Sequence, residues 1–418
     1  MNPVKNCSLS SPTNARWGAP LPYSYPLKLS LRPDGGIAFF HPYSSLISVG
    51  IPTSGTARAS NFELLRILAM LLILVLHANF LAFRFPTNEA IHAQPLTSLG
   101  QVWSEALAIV GVNVFILISG YFGIKARVKG IVSLLFQAFF YTVGVYSTLV
   151  LLGLEPFNLS EFVGSLMPLN RKSEWFLPTY LSLMIFSPLL NALAQRTSEE
   201  ELRRYLLLFF LVEFVLGFIN DQLEVKDGYS LFAFAGIYLI GRYLRLYPQH
   251  LERWSGRSFL LGYLGLTFLQ SLALFLFAYG TGQSIVASPL AYKFMSYVSP
   301  INILAAVLLF LAFSRIKLQS AAVNWIGSST LAVYLIHCNA RLIGRYTGFV
   351  RELSEQHPTG LFIVSVVGFM LLVFAGSILI DKLRLLLWRW VISPLYDGIA
   401  RLWVRAGLPI FQFPKLRN

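Results

Sequence analysis

Apolar runs separated by short polar loops fill the chain from residue 61 to residue 381. Ten runs can be counted, and many of them approach the ~20 residues that a helix needs to cross a bilayer. The runs are Leu64–Phe83, Glu105–Ile124, Ile131–Leu152, Trp175–Leu193, Tyr205–Ile219, Leu231–Leu246, Phe259–Tyr279, Ile301–Phe313, Ala322–Ile343 and Leu361–Ile380. This pattern predicts an all-α fold, a polytopic membrane helical bundle of about ten transmembrane helices.

The loops between the runs differ in their content of Lys and Arg. The basic residues of one set of alternate loops are Lys125, Arg127, Lys129, Arg196, Arg203, Arg204, Arg242, Arg245, Arg253, Arg257, Arg315 and Lys317. Loops on the other side hold far fewer basic residues. Because cytoplasmic loops carry the excess of Lys and Arg, both termini are predicted to be cytoplasmic and the number of spans to be even.

Two segments of different character flank the predicted membrane domain, residues 61–381. Residues 1–60 are rich in Pro, Ser and Gly and show no sustained periodicity, which predicts a disordered N-terminal arm. Residues 382–418 alternate basic and apolar side chains, as in KLRLLLWRW. That composition is typical of a cytoplasmic tail that lies on the anionic inner leaflet.

The composition supports the membrane interpretation and weakens two others. Hydrophobic residues make up 56% of the chain and charged residues only 12%, with a mean hydropathy of +0.63, whereas soluble domains carry about a quarter charged residues. The net charge of +14 does not indicate nucleic-acid binding, because the basic residues lie between apolar runs. Two cysteines and six scattered histidines indicate neither a disulfide scaffold nor a metal site.

Cys338 directly follows His337, so a Cys/His nucleophile is one interpretation of this pair. The other interpretation is a small packing residue. Adjacent positions on a helix are about 100° apart and do not face each other, which favours packing.

Arg66 and His77 lie inside the first apolar run, which normally excludes both residue types. A helix turns about 100° per residue, so eleven positions return to within about 20° of the starting face. The two side chains are therefore predicted to share one stripe, about 16 Å apart along the axis. Separately, they could be a snorkelling anchor and a core histidine, but together they favour a functional pair.

Further polar residues interrupt later runs. Asn113 and Ser119 fall on opposite sides of the second span, and Ser119–Gly120 reads most simply as a close helix contact. Asn113 is either a bond between helices or a substrate contact. Glu213 is a carboxylate deep in the fifth span, either a partner for a histidine or a buried acid with a structural bond.

The ninth span ends with His337, Arg341 and Arg345, each four positions apart, which predicts one polar stripe on the outer side. Its role is either interfacial anchoring or binding of an anionic or hydroxyl-rich substrate. Glu174 and Trp175 open the fourth span at the outer face, where Trp is also an ordinary interfacial residue.

Four segments, in order, resemble acyltransferase family 3, the integral-membrane O-acyltransferases that modify cell-surface glycans. Arg66-x10-His77 resembles the family's first-helix signature, and VFILISGYFGI (114–124) resembles its second helix. EWFLPTYLSLMIFSPLLNAL (174–193) is similar to the bacterial polysaccharide O-acetyltransferase branch, and WIGSSTLAVYLIH (325–337) to the family's late helix. The family's Arg-x-x-Arg pair after the second helix is replaced here by Lys125, Arg127 and Lys129.

The resemblance implies a multi-pass enzyme of the bacterial inner membrane that uses acetyl-CoA, or another acyl-CoA, as co-substrate and holds no bound cofactor. The implied acceptor is a hydroxyl of a surface glycan or a lipid-linked sugar. His77 is then the expected general base and Arg66 a donor clamp, with Glu213 as a candidate partner of His77. The expected substrate-binding residues are Lys125, Arg127, Asn113, Trp175, Glu174, His337 and Arg341.

Two other functions fit a polytopic chain with intramembrane charges. A transporter or flippase for a lipid-linked glycan would line its path with Arg and His. No internal repeat and no pair of broken helices is visible in the sequence, which disfavours it. A polysaccharide polymerase would be expected to carry a larger basic outer loop than any found here.

Overall fold

Helices account for almost all regular structure in the computed structural model, which describes residues 58–167, 169, 175–220 and 226–406. No strand occurs within these ranges. The α-helices are α1 Ser60–Leu76, α2 Asn88–Ala93, α3 Pro95–Ala108, α4 Gly111–Phe122, α5 Val128–Leu151, α6 Leu159–Ser165, α7 Phe176–Arg196, α8 Glu199–Val212, α9 Leu231–Leu246, α10 Gly256–Thr281, α11 Pro289–Lys293, α12 Pro300–Ser314, α13 Ala321–Gly327, α14 Thr330–His337, α15 Ile343–Gln356, α16 Thr359–Leu387 and α17 Ser393–Arg405.

Five shorter helical pieces complete the description. Three are π-helical segments, His77–Leu81, Glu213–Ile219 and Trp388–Ile392, and each continues an α-helix directly. Two are 3₁₀ turns, Lys226–Gly228 and Pro248–Leu251. The predicted arm, residues 1–60, falls outside the described residues except at its last three positions.

Six helical stretches among the described residues are long and apolar enough to cross a membrane. They are Ser60–Leu81, Pro95–Phe122, Val128–Leu151, Phe176–Arg196, Gly256–Thr281 and Thr359–Trp403. The predicted all-α polytopic bundle is therefore confirmed. The other four predicted runs are also helical, but they correspond to short or interrupted helices (α8, α9, α12 and α13 with α14), so the number ten stays a prediction.

Two of the runs predicted as single helices are broken in the structure. The second begins ten residues earlier than predicted, at Pro95, and is interrupted between Ala108 and Gly111. Proline suits a helix start because the first turn leaves its N–H groups without intrahelical partners. The ninth is interrupted at Ser328–Ser329 and ends at His337.

The last helix does not stop at Asp381, the predicted end of the membrane domain. It continues to Leu387 and passes through a π segment into α17. Asp381 is fully buried and accepts hydrogen bonds from Tyr141 and Arg384. In the tail, Asp397 pairs with Lys129 of α5. The position of this tail on the inner leaflet stays a prediction.

α1 is the central helix, since it packs against α3, α4, α12, α13, α14 and α16. α4 and α9 approach each other most closely through glycines. A Cβ at Gly120 would collide with the backbone carbonyl of Tyr238, and one at Gly241 would lie 2.5 Å from the Leu117 carbonyl oxygen. The close helix contact predicted at Gly120 is thus present, and it joins α4 to α9.

Candidate active site

The C-terminal end of α1 changes from α- to π-helical geometry at His77. π segments inside α-helices occur frequently at functional sites. Asn79 ties this segment to α3 by donating to the Gln101 carbonyl and to the Glu105 carboxylate, at 3.1 and 2.9 Å. Arg351 of α15 donates hydrogen bonds to the carbonyls of Leu81 and Ala82. Because the helix ends there, these carbonyls have no N–H partner in a following turn. His77 is therefore held on both sides.

His77 meets His337 across 260 positions of sequence. His77 Nδ1 lies 2.9 Å from His337 Nε2, and His337 Nδ1 lies 2.6 Å from the Val333 carbonyl oxygen. Cys338 Sγ lies 3.4 Å from His77 Nδ1 and 3.3 Å from His337 Nε2. The His337 and Cys338 side chains are both buried. These three residues are called the histidine cluster below.

The histidine cluster corrects two arguments made from spacing. Cys338 and His337 were expected not to face each other, but α14 ends at His337, so helical spacing does not apply to Cys338. The six histidines are scattered along the sequence, but the fold brings two of them and the cysteine together. Their three possible ligand atoms lie within 4.8 Å of one another. Spacing in the sequence therefore gives no argument against a metal there.

Two tyrosine rings pack against His337. Tyr334 approaches edge-on, with ring centroids 6.2 Å apart, and the Tyr346 ring lies 5.7 Å away. The Tyr346 hydroxyl donates to the Leu74 carbonyl of α1 at 2.9 Å. The aromatic contacts restrict the His337 ring, and the hydrogen bond joins α15 to the helix that carries His77.

The histidine cluster borders a cavity of about 320 Å³, called the histidine cavity. Its other polar and aromatic lining residues include Glu105, Trp175, Tyr229, Tyr292 and Tyr297. The Trp175 and Tyr229 rings are 4.3 Å apart, and the Tyr297 ring lies within 6 Å of both. Burial raises the pKa of Tyr292, so its hydroxyl stays protonated near neutral pH and can donate a hydrogen bond.

A second cavity, of about 290 Å³, lies along the preceding part of α1 and is called the arginine cavity. Its polar lining includes Arg58, Arg66, Ser119, Tyr180 and Tyr334, and its apolar lining includes Met70, Ile73, Val112 and Phe115. Ser119 and Tyr180 share a hydrogen bond of 3.1 Å. The cavity therefore has cationic groups on α1 and just before it, and an apolar wall beyond them.

The two cavities follow one another along the same chain segments. On α1, Ile73 lines the arginine cavity and Leu76 lines the histidine cavity. On the segment of α14, Tyr334 lines the arginine cavity and Cys338 lines the histidine cavity. Trp175 and its neighbour Phe176 also line different cavities. A separation of at most four helical residues corresponds to about 6 Å. The two cavities are therefore adjacent, and the histidine cluster lies on the side of the histidine cavity.

Arg66 does not stand alone at the arginine cavity. Its guanidinium donates to the Glu63 carboxylate at 2.5 Å, and Arg58 lies 3.4 Å from the same oxygen. Glu63 itself is buried, and Gly327 faces it so closely that a Cβ there would lie 2.5 Å from the other carboxylate oxygen. Glycine at this position thus permits α13 to pack over the ion pairs.

Four of the predicted site residues lie beside these cavities. Arg66 lines the arginine cavity, His77 and Trp175 line the histidine cavity, and His337 joins His77 in the histidine cluster. Arg66 and His77 thus follow the same wall of α1, together with Met70 and Ile73.

Four predicted substrate-binding residues are placed differently. Lys125 and Arg127 are exposed on the loop after α4 and are not among the described residues that line either cavity. Asn113 is buried and donates to the Tyr297 carbonyl at 2.8 Å, so it supports a cavity wall without forming part of it. Glu174 lies outside the described residues.

Arg341 and Glu213 require corrections. Arg341 does not continue a stripe from His337, because α14 ends at His337 and Arg341 lies in the following turn. Its guanidinium pairs with Glu155 and Glu161 and covers the Tyr146 ring. Glu213 lines a separate apolar cavity with Phe210 and Val307. The residue beside His77 is His337, whereas the sequence offers Glu213 as the candidate partner.

Sequence reasoning missed several residues of the site. Glu63 was detectable in principle, because a carboxylate three positions before Arg66 shares its helix face. Glu105 and the three tyrosines of the histidine cavity come from distant segments, and their meeting depends on how the helices pack.

Comparison with known proteins gives one match. A family model described as an acyltransferase domain, that of acyltransferase family 3, matches residues 60–382. No curated protein and no solved structure matches the chain.

Proposed function

The chain belongs to acyltransferase family 3 and is a multi-pass membrane acyltransferase, and we propose that it moves an acetyl group from acetyl-CoA to a glycan hydroxyl. The acceptor in this proposal is a surface polysaccharide or its lipid-linked precursor, modified at a bacterial inner membrane. The observation that carries the proposal is the pair of adjacent cavities, with Arg66 on the wall of one and His77 on the wall of the other. Such a layout suits two substrates that exchange one small group.

The arginine cavity suits the donor. The phosphates of CoA are anionic, and guanidinium groups bind phosphate oxygens through paired, charge-assisted hydrogen bonds. Arg58 and Arg66 offer such groups, and 53% and 29% of their side chains are exposed. The narrow pantetheine arm would then follow the apolar wall formed by Met70, Ile73 and Phe115 toward the histidine cluster. The N-terminal end of α1, which carries Arg66, is predicted to face the cytoplasm, where acetyl-CoA is found.

The histidine cavity suits the acceptor. Sugar rings present apolar C–H faces that pack on aromatic rings and hydroxyl groups that require polar partners. Trp175, Tyr229 and Tyr297 provide a cluster of aromatic rings, and Tyr292 and Glu105 provide polar atoms. This combination is the basis for proposing a glycan acceptor.

The chemistry requires a base for the attacking hydroxyl. The hydroxyl oxygen forms a bond to the thioester carbonyl carbon, the carbon–sulfur bond breaks, and the sulfur leaves as the thiolate of CoA. His77 Nε2 accepts the hydroxyl proton and passes it to the leaving sulfur, so that the products are an O-acetyl ester and the CoA thiol. His77 lies on the wall of the histidine cavity, the position this role needs.

The test is O-acetylation of the host glycan in a deletion strain complemented with His77→Ala or Arg66→Ala. Both variants should lose most of the O-acetyl content, because one removes the base and the other a phosphate contact. His92→Ala is a matched control, since His92 is exposed on α2 and packs only near Tyr279. Normal acetylation with normally inserted His77→Ala protein would exclude the proposed role.

The deletion strain also tests the alternative function. Under our proposal, glycan export continues and only the O-acetyl groups are lost. Loss of export itself, with the exported remainder still acetylated, would favour a flippase instead.

A further inference from the structure

His337 is bonded at both ring nitrogens, and this determines where its proton lies. A carbonyl oxygen only accepts hydrogen bonds, so Nδ1, which is 2.6 Å from the Val333 carbonyl, must carry a hydrogen. In a neutral imidazole the other nitrogen is then an acceptor. His337 Nε2 therefore presents a lone pair to its neighbour.

That lone pair determines the proton position in His77 as well. His77 Nδ1 is 2.9 Å from His337 Nε2 and must be the donor of this hydrogen bond. The neutral His77 ring then carries its lone pair on Nε2, the form that can accept a proton from a hydroxyl. One backbone carbonyl of α14 thus sets the tautomers of both rings.

The geometry points to His337 as the positioning residue of His77: it holds the base in the Nδ1–H tautomer and stabilises the imidazolium formed during acyl transfer. This inference rests on the proposed function. When His77 Nε2 takes the hydroxyl proton, the positive ring keeps Nδ1–H directed at the neutral His337. The proton then leaves from Nε2 to the thiolate of CoA, and His337 is unchanged at the end.

Cys338 offers a competing interpretation of the same cluster, as a metal ligand together with both histidines. Two imidazole nitrogens bound at ~2.0–2.1 Å to a tetrahedral zinc ion lie roughly 3.3 Å apart. The observed separation of 2.9 Å is that of a hydrogen bond. The imidazole pair therefore favours a proton-bearing contact over shared ligation.

The experiment compares three full-length variants in lipid nanodiscs, with acetyl-CoA and glycan extracted from the deletion strain as substrates. His337→Leu removes the acceptor, and we expect kcat to fall roughly 10- to 100-fold, while KM for acetyl-CoA changes by less than about twofold. His337→Gln offers an amide oxygen to His77 and should recover at least part of the loss. Cys338→Ala is compared for its metal content, because a metal ion held by the thiol and both histidines would be lost with this ligand.

The tautomer is measured directly by ¹⁵N spectroscopy of histidine-labelled protein. The wild-type His77 signal is assigned by its loss in His77→Ala. At a pH at which the ring is neutral, it should show Nδ1 protonated and Nε2 unprotonated. His337→Leu should shift His77 toward the other tautomer. This readout does not depend on any variant being active, and the wild-type spectrum stands even if His337→Leu fails to fold.

Three results would overturn the inference. The first is wild-type kcat in folded His337→Leu, and the second is an Nε2–H tautomer of His77 in the wild type. The third is one equivalent of a transition metal that is lost in both His337→Leu and Cys338→Ala. Each leaves the proposed function standing as long as His77→Ala is inactive, whereas an active His77→Ala enzyme would defeat the proposed function itself.

Discussion

At the scale of single residues, Glu63 lies 2.5 Å from Arg66 and 3.4 Å from Arg58, so one carboxylate holds two guanidinium groups beside the arginine cavity. An Arg side chain has many rotamers, and fixing it before a ligand arrives lowers the entropy cost of binding. Two cations on one acid also leave a net positive charge for an anionic donor. Arg66 is therefore the residue at which recognition of the CoA phosphates can be tested most sharply.

We expect Arg66→Ala to raise KM for acetyl-CoA by about 10- to 100-fold, because a hydrogen bond to a charged group contributes roughly 1.5–3 kcal/mol. S-acetyl-pantetheine lacks the nucleotide phosphates, so its KM should be the same in Arg66→Ala and in the wild type. The measurement is thiol release in nanodiscs with each donor. Arg315→Ala is the control, since Arg315 is exposed and bonds the Leu251 carbonyl. An equal loss with both donors would refute a phosphate contact.

Sequence reasoning reached part of this residue-scale picture. Arg66 and His77 were found because apolar runs make charged and titratable groups conspicuous and because helical geometry relates positions eleven apart. The partner of His77 was not found, since His337 is 260 positions away and the choice between it and Glu213 depends on packing. Lys125 and Arg127 are predicted as substrate-binding residues from their charge, but both are exposed on a loop. A charge on the predicted cytoplasmic side of the membrane does not by itself place a side chain in a cavity.

At the scale of helices, glycines allow the close contact between α4 and α9. Gly120 meets the backbone of Tyr238 there, and Gly241 meets the carbonyl of Leu117. Between membrane helices, small residues allow backbones to approach and gain van der Waals contact. Because α4 also supplies Val112 and Phe115 to the arginine cavity, a shift of α4 would change that cavity.

Gly120→Ala is expected to destabilise the folded protein by about 1–3 kcal/mol, since the added methyl group collides with a backbone carbonyl that cannot move alone. The matched control is Gly265→Ala in α10, where nothing lies within 4 Å of an added Cβ. Thermal unfolding in detergent should show a lower midpoint for Gly120→Ala only. Equal midpoints for the two variants would mean that α4 and α9 can separate without cost.

The elements themselves were largely predictable, and their ends were not. All ten apolar runs are helical, because helices satisfy every backbone hydrogen bond within one segment. The break between Ala108 and Gly111 leaves no mark in hydrophobicity, and the polar residues at Ser328–Ser329 do not by themselves show that a helix ends there. The second break matters for function, since α14 is a separate helix that ends at His337 and presents that side chain to α1.

At the scale of the whole molecule, the two cavities assign separate tasks to separate parts of the bundle. Aromatic and polar groups from several distant segments form the histidine cavity, with Trp175 at the start of α7 and Tyr229 before α9. The arginine cavity uses other residues of α1 and α7. A substitution in one cavity should therefore affect one substrate and leave the other unaffected.

Trp175→Ala tests this separation. It should raise KM for the glycan roughly two- to tenfold, since an aromatic contact contributes about 0.5–1.5 kcal/mol, and leave KM for acetyl-CoA unchanged. Arg66→Ala should give the reverse pattern. Trp254→Ala, exposed outside both cavities, is the control. The measurement is initial rate over a matrix of both substrate concentrations with extracted glycan. If Trp175→Ala changed KM for acetyl-CoA instead, donor and acceptor would share one path, and the two cavities would not separate the substrates.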